Sequence, residues 1–333
     1  MMDNYGFYTG KSFDAYEFFG CHTDENGAVF RVFAPAAVRI SVIGEFNGWQ
    51  DTPMNKIGDG NFWAVYIEGV KPGQMYKYKI YKPDGSCMDH CDPYGYGMEL
   101  RPASASIVRN LYGYEFQDDA WMKKRSNGVA SALNIYEIHA GSWKKPQNGW
   151  YRYDELAMQL VPYLKEYGYN YIELLPIGEH PCDESWGYQC SGFYSPTSRY
   201  GTLDDYKKMI DILHHNDIGV IMDFVPVHFA LDAYALAKFD GTALYEYPHK
   251  DVGNSEWGSC NFMHSRGEVR SFLQSCANYW LKEYHVDGLR MDAISNMIYW
   301  QGNPARGVNK DAVAFLQHMN EGLTGRHSGI LLA

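Results

Sequence analysis

No stretch of this 333-residue sequence approaches the apolar length of a membrane span. The segment from Met1 to Phe19 carries acidic residues and no continuous apolar core, so a secretory signal is not expected. Cysteine is sparse and odd in number: there are 7, none in CxxC spacing, and Cys87 and Cys91 are the nearest pair. That argues against a disulfide framework or a Cys/His metal site and for reduced thiols in a cytoplasmic protein. Positive charge is also short. With 29 Lys and Arg against 40 Asp and Glu, the net charge is −11, which speaks against nucleic acid or an anionic membrane as partner. Neither a metal cluster nor a Gly-rich cofactor loop is visible, so no cofactor is invoked.

Aromatic side chains are plentiful, at 16% with 28 Tyr and 9 Trp. Such rings stack on sugars, although most of them must serve the core or half-buried strands. Up to about Gly113 the pattern is all-β. Val29–Phe33 and Val38–Val42 alternate in polarity, Tyr76–Ile80 sets rings on one face and lysines on the other, and Asn47-Gly48 and Asp84-Gly85 are turn dipeptides. Six or seven short strands predict a β-sandwich. A polar stretch, 114–130, reads as a linker with Trp121 as its anchor. From Leu133 the rhythm becomes strand and helix in alternation, with strands at Asn134–His139, Tyr171–Leu175, Ile218–Phe224, Val286–Asp292 and Gly329–Ala333. Thr202 with Asp205 predicts a capping box. Pro162 should kink its helix or loosen the first half. Five β/α units correspond to the first five-eighths of a TIM barrel, and a doubly wound open sheet is the alternative fold.

The run Asp287-Gly-Leu-Arg-Met-Asp-Ala293 carries the chemistry. On a strand, Gly288, Arg290 and Asp292 share one face and Leu289 and Met291 the other. A guanidinium beside a carboxylate at a strand end keeps that carboxylate ionised, as a glycosidase nucleophile requires; a structural ion pair would use the same two residues.

This strand resembles the G-x-R-x-D region of the α-amylase family (glycoside hydrolase family 13), and Asp223-Phe-Val-Pro-Val-His228 resembles that family's D-x-V-x-x-H region. The loop from His180 to Gly201 is similar to the branching-enzyme version of the family, with Ser185-Trp-Gly-Tyr-Gln189 at its centre; Ile135–Trp143 and Glu256–Phe262 also resemble it. Phe46-Asn-Gly-Trp49 resembles the starch-binding module (carbohydrate-binding module family 48) that precedes such barrels. The resemblance implies three segments: 1–113, an immunoglobulin-like β-sandwich; 114–130, a linker; and 131–333, an incomplete (β/α)8 barrel of about five strands. It implies Asp292 as nucleophile and Arg290 as the residue that orients it, with Asp223, His228, Tyr188, Tyr194, Gln189 and His139 on the substrate. Trp49 is either a sugar platform or a turn-packing aromatic. Asp223 is expected to organise the site rather than act as acid/base. The implied substrate is glycogen or a linear α-1,4-glucan, cleaved with retention and transferred to a C6 hydroxyl.

The family's acid/base Glu follows a pattern like L-x-A-E, and the sequence reaches Leu331-Leu-Ala333. The 333-residue chain is therefore expected to be inactive on amylose. A hydrolase of the same family and a noncatalytic glucan-binding protein remain the competing functions.

Overall fold

A computed structural model describes residues 2–128 and 132–333; the boundary expected at 130–131 lies outside the described residues. The N-terminal part holds short helix α1 (Asn4–Tyr8) and strands β1 (Gly20–Thr23), β2 (Gly27–Phe33), β3 (Arg39–Gly44), β4 (Thr52–Pro53), β5 (Asn55–Ile57), β6 (Phe62–Glu68), β7 (Met75–Tyr81), β8 (Cys87–His90) and β9 (Ser106–Ile107). They pair antiparallel in two sheets, ordered β1-β2-β6-β5 and β4-β3-β7-β8, with β9 also on β7. Between the sheets Phe30, Val32, Ile40, Val42, Tyr76, Tyr78 and Ile80 are buried. In β7 the expected alternation holds, Tyr76, Tyr78 and Ile80 inward and the lysines between them outward. Burial of two tyrosines needs an acceptor for their hydroxyls. Asp92 supplies it, at 2.7 Å from Tyr76 Oη and 3.0 Å from Tyr78 Oη.

The stretch read as a linker contains helix α2 (Asp119–Ser126), which Trp121 anchors through an indole bond to Asp287 Oδ1 at 2.8 Å. Beyond it run β10 (Ile135–Ile138), α3 (Tyr153–Tyr167), β11 (Tyr171–Leu174), the paired β12 (Gly178–Glu179) and β13 (Gly192–Pro196), α4 (Leu203–His215) and β14 (Gly219–Phe224). Next come the paired β15 (His228–Phe229) and β16 (Cys260–Asn261) flanking α5 (Lys250–Gly253), then α6 (Gly267–Glu283), β17 (Gly288–Met291), α7 (Ile294–Ile298), α8 (Lys310–Arg326) and β18 (Leu331–Leu332). Strands β10-β11-β14-β17-β18 form one parallel sheet in sequential order. Sequential order is that of barrel strands; a doubly wound sheet reverses direction at a switch point.

The helices follow their sequence signals with one difference. The α4 capping box forms, Thr202 Oγ1 accepting from Asp205 N and Asp205 Oδ2 from Thr202 N at 2.7 Å. Helix α3, however, runs unbroken through Pro162 until Gly168 (φ 74°), because Leu156, Ala157, Leu160 and Leu164 bury its inner face and hold it helical. The inward face of α8 is Ala312, Phe315, Met319 and Leu323, with Val313 and Leu316 half-buried on its flank. Helix α6 is buried almost all round, since the N-terminal segment covers its outer side. Ser275 Oγ accepts from Ala15 N at 3.0 Å, Gln274 Nε2 donates to the Gly10 and Ser12 carbonyls, and Asn278 Nδ2 donates to Phe13 O. No helix of the described residues is long and apolar enough to cross a membrane.

Candidate active site

In-register pairing of β14 with β17 sets Asp223 beside Arg290 at the carboxyl ends of adjacent strands. Arg290 Nη1 donates to Asp223 Oδ2 at 2.9 Å and to Asp292 Oδ1 at 2.8 Å, so one guanidinium joins both carboxylates. The Asp292 backbone N–H donates to Phe224 O at 3.0 Å and carries the sheet pairing one residue past β17. Directly after it Ala293 adopts φ 50°, a left-handed conformation that costs a non-glycine residue energy and turns the chain sharply into α7.

Asp223 is 2% exposed, and its Oδ1 has no hydrogen-bond partner among the described residues. Burial pushes its carboxyl up to about 7, against the pull of Tyr188 and Arg290. Tyr188 Oη donates to Asp223 Oδ2 at 2.6 Å, which brings the long loop between β11 and α4 over the strand ends. Burial, and then that carboxylate, raise the Tyr188 phenol well above its usual range, so it stays protonated and able to donate. Four sequence-predicted residues, Asp223, Arg290, Asp292 and Tyr188, thus converge.

His228 and Gln189 meet at Trp257. His228 is 2% exposed, its Nδ1 lies 2.9 Å from Ser259 Oγ, and burial lowers its pKa to about 4, so the ring is neutral. Trp257 packs on that ring at 5.1 Å between centroids, and Gln189 Nε2 donates to the Trp257 carbonyl at 2.8 Å. His139 lies in a neighbouring cleft of about 240 Å³ with Trp150, His180, Asp183, Trp186 and Arg199. Its Nδ1 is 2.8 Å from Ser142 Oγ.

Two predicted residues stand elsewhere. Tyr194 was expected on the substrate but is fully buried, packed against Tyr94, Phe272 and Tyr279, and its hydroxyl donates to Phe272 O at 2.8 Å. Strand β13 turns that ring into the core, so it offers a sugar neither face nor hydroxyl. Trp49 sits on the N-terminal β part, in the turn after β3, 41% exposed at φ 61°.

Sequence reasoning missed Glu173. It lies in β11, half-buried, and burial followed by the charge of Glu137 raises its pKa. The available signal was a lone carboxylate in the otherwise apolar run Tyr171-Ile-Glu-Leu-Leu175. Trp257 and Ser259 were missed as well, because a loop ring and hydroxyl reveal their contacts only in three dimensions.

Residues 18–95 match the model of carbohydrate-binding module 48 (isoamylase N-terminal domain), and residues 157–251 match the α-amylase catalytic domain. The 1,4-alpha-glucan branching enzyme GlgB of Fusobacterium nucleatum is 44% identical over 335 residues, and its Bacillus subtilis counterpart is 42% identical over 340 residues. Each alignment covers 99% of this chain and 54% of the relative, so the chain spans about half the length of the curated relatives it matches. A pullulanase from Bacillus acidopullulyticus superposes with a TM-score of 0.71 at 22% identity, over 94% of this chain and 41% of that one, a likeness of fold.

Proposed function

The chain belongs to the α-amylase family, and from that premise we propose that it takes part in 1,4-α-glucan branching, holding a linear α-1,4-glucan across the carboxyl ends of β14 and β17. Asp292 is the nucleophile: it attacks the anomeric carbon, the bond to the leaving oxygen breaks, and a covalent glycosyl-enzyme forms that is passed with net retention to a C6 hydroxyl. Arg290 fixes the attacking carboxylate, donating to Asp292 Oδ1 at 2.8 Å. Asp223, itself buried, organises the cluster, its Oδ2 holding both Arg290 and Tyr188. The Tyr188 ring supplies an apolar face for the pyranose, and neutral His228 a hydrogen-bonding edge. Retention also requires an acid/base carboxyl about 5–5.5 Å from the nucleophile. No described residue is assigned to that step.

The observation that carries this reading is the single guanidinium shared by Asp223 and Asp292 beneath Tyr188. The three-segment division at 113 and 130, a cytoplasmic location consistent with free thiols, and a neutral glucan as partner of a chain of net charge −11 belong to the same proposal.

Amylose treated with the full gene product tests it. Branching lowers iodine staining and creates α-1,6 points with few new reducing ends, and Asp292→Asn abolishes this. Reducing ends rising in step with lost stain would make the protein a hydrolase. Activity surviving Asp292→Asn would remove the assigned nucleophile. Exposed Trp49 favours a second role, retention of polysaccharide by the N-terminal module.

A further inference from the structure

The loop that carries Tyr188 is tied from two sides at one carboxylate. Asp183 opens the short 3-10 turn Asp183–Ser185, and its backbone carbonyl accepts from Trp186 N at 3.1 Å. The Ser185 carbonyl then accepts from Tyr188 N at 3.0 Å, and the Ser185 hydroxyl donates back to Cys182 O at 2.7 Å. Such a series of short-range bonds transmits a shift of Asp183 to Trp186 and Tyr188, and Tyr188 in turn holds Asp223 at 2.6 Å.

On the sheet side Arg199 grips Asp183 Oδ1 through Nε at 2.9 Å and Nη2 at 2.5 Å. Arg199 is itself fixed in the interior by Glu179, 2.7 Å from Nη1, with both side chains 3% exposed or less. From the opposite side comes Arg101, a residue of the N-terminal β part. Its Nε donates to Asp183 Oδ1 at 2.7 Å and its Nη2 to Asp183 Oδ2. Two parallel donors on one carboxylate fix orientation as well as distance. The Arg101 guanidinium also lies 5.8 Å from the Trp150 ring centroid, and Asp183, Trp150 and Trp186 line the same cleft.

We propose that Arg101 is a positioning residue for the substrate loop, so that the N-terminal module reaches the reaction site through the Arg101–Asp183 fork and the turn leading to Tyr188. This rests on the α-glucan reading for the site's ligand, while the placement of the loop stands apart from it. Arg199 and Glu179 keep Asp183 attached when Arg101 is removed, so the fold survives and only the second side of the grip is lost. The Arg101 and Asp183 side chains are each 36% exposed, within reach of screening by salt.

The test compares the unaltered chain with Arg101→Ala and Arg101→Lys. Amide hydrogen exchange is read across 181–190, maltoheptaose affinity by calorimetry from about 0.02 to about 0.5 M NaCl, and melting temperature alongside. For Arg101→Ala the expected result is faster exchange confined to that loop and affinity lowered roughly tenfold at low salt, with the melting temperature within about 2 °C. Its affinity should also respond less to salt than that of the unaltered chain, although the ligand is neutral. Arg101→Lys keeps the charge without the fork and falls between the two. Unchanged exchange in Arg101→Ala overturns the proposal. Weaker binding with unchanged exchange does so too, because Arg101 would then touch the sugar directly. Failure of the unaltered chain to bind maltoheptaose overturns the glucan reading, and the exchange result still decides the role of Arg101.

Discussion

Asp287 and Asp292 stand at opposite ends of β17 and face different tasks. Asp287 is fully buried and collects donors from α2, α4 and β14: Trp121 Nε1 and His214 Nε2, at 2.8 and 2.9 Å, and Val220 N at 2.8 Å. Arg125 Nη1 adds a contact at 3.3 Å. Asp292 has Arg290 and the open end of the sheet. Two carboxylates from one short motif thus have unlike surroundings, one closed in by donors and one held by a single guanidinium at the end of the sheet.

His214 lies between Asp287 and Asp118, with Nδ1 2.7 Å from Asp118 Oδ2, and His285 Nδ1 and Arg125 face the same carboxylates. Burial alone would lower the His214 pKa; Asp287 and Asp118 outweigh it and raise it. A raised histidine stabilises the fold fully below its unfolded pKa of about 6.5 and loses that contribution as pH climbs through the folded value. Asp118 and Asp287 are held low, burial being overcome by their histidine partners, so their contribution fails as acid passes below about 4. Thermal melts from pH 4 to pH 9 should peak between these limits. His214→Asn should flatten the alkaline limb and cost about 3 kcal/mol near pH 6.

Removing the Tyr188 phenol should move the titration of Asp223. The Tyr188 hydrogen bond lowers the Asp223 pKa, and burial nevertheless leaves it at about 7 with that bond in place. In Tyr188→Phe, carboxyl-carbon NMR should find Asp223 titrating above 7. A midpoint that stays in place would mean that Tyr188 does not bear on that carboxylate in solution.

Gly219 opens β14 where the Tyr171 ring of β11 crosses it; a β-carbon there would lie 2.1 Å from Cε1. Gly219→Ala must push a ring that belongs to the packed sheet. Urea unfolding should register about 1–3 kcal/mol of destabilisation, with no change in exchange at the Tyr188 loop.

Trp49 should matter for polysaccharide and not for folding. Trp49→Ala is expected to reduce glycogen pull-down several-fold and to leave the melting temperature unchanged. Trp49→Gly should lose the same binding yet gain about 1 kcal/mol, because the position has φ 61°.

The architecture was legible where periodicity carries it. The alternation in β7 recurs in the structure as written, and the Asp223 and Arg290 motifs meet because consecutive strands of the parallel sheet pair in register. Tyr194 was misplaced because a motif records which residues accompany one another, not which way a ring turns from a short strand. Pro162 misled because local propensity was weighed without the buried face that overrides it. The Arg101–Asp183 contact had no local signal at all, since its partners are 82 positions apart and both lie in turns.

The clasp of the N-terminal segment on α6 gives the chain an order of assembly. Ala15 and Ser275 are 260 positions apart, so the clasp itself cannot close until α6 exists. At ribosomal rates of roughly 5–20 residues per second, that wait is on the order of 10 to 50 s. Each β/α unit can settle on the one before it as it emerges. The ring of Phe13, which packs against His318 of α8, cannot, and it spends that interval and longer as exposed apolar surface, the window in which a nascent chain is most open to chaperones and to misassociation.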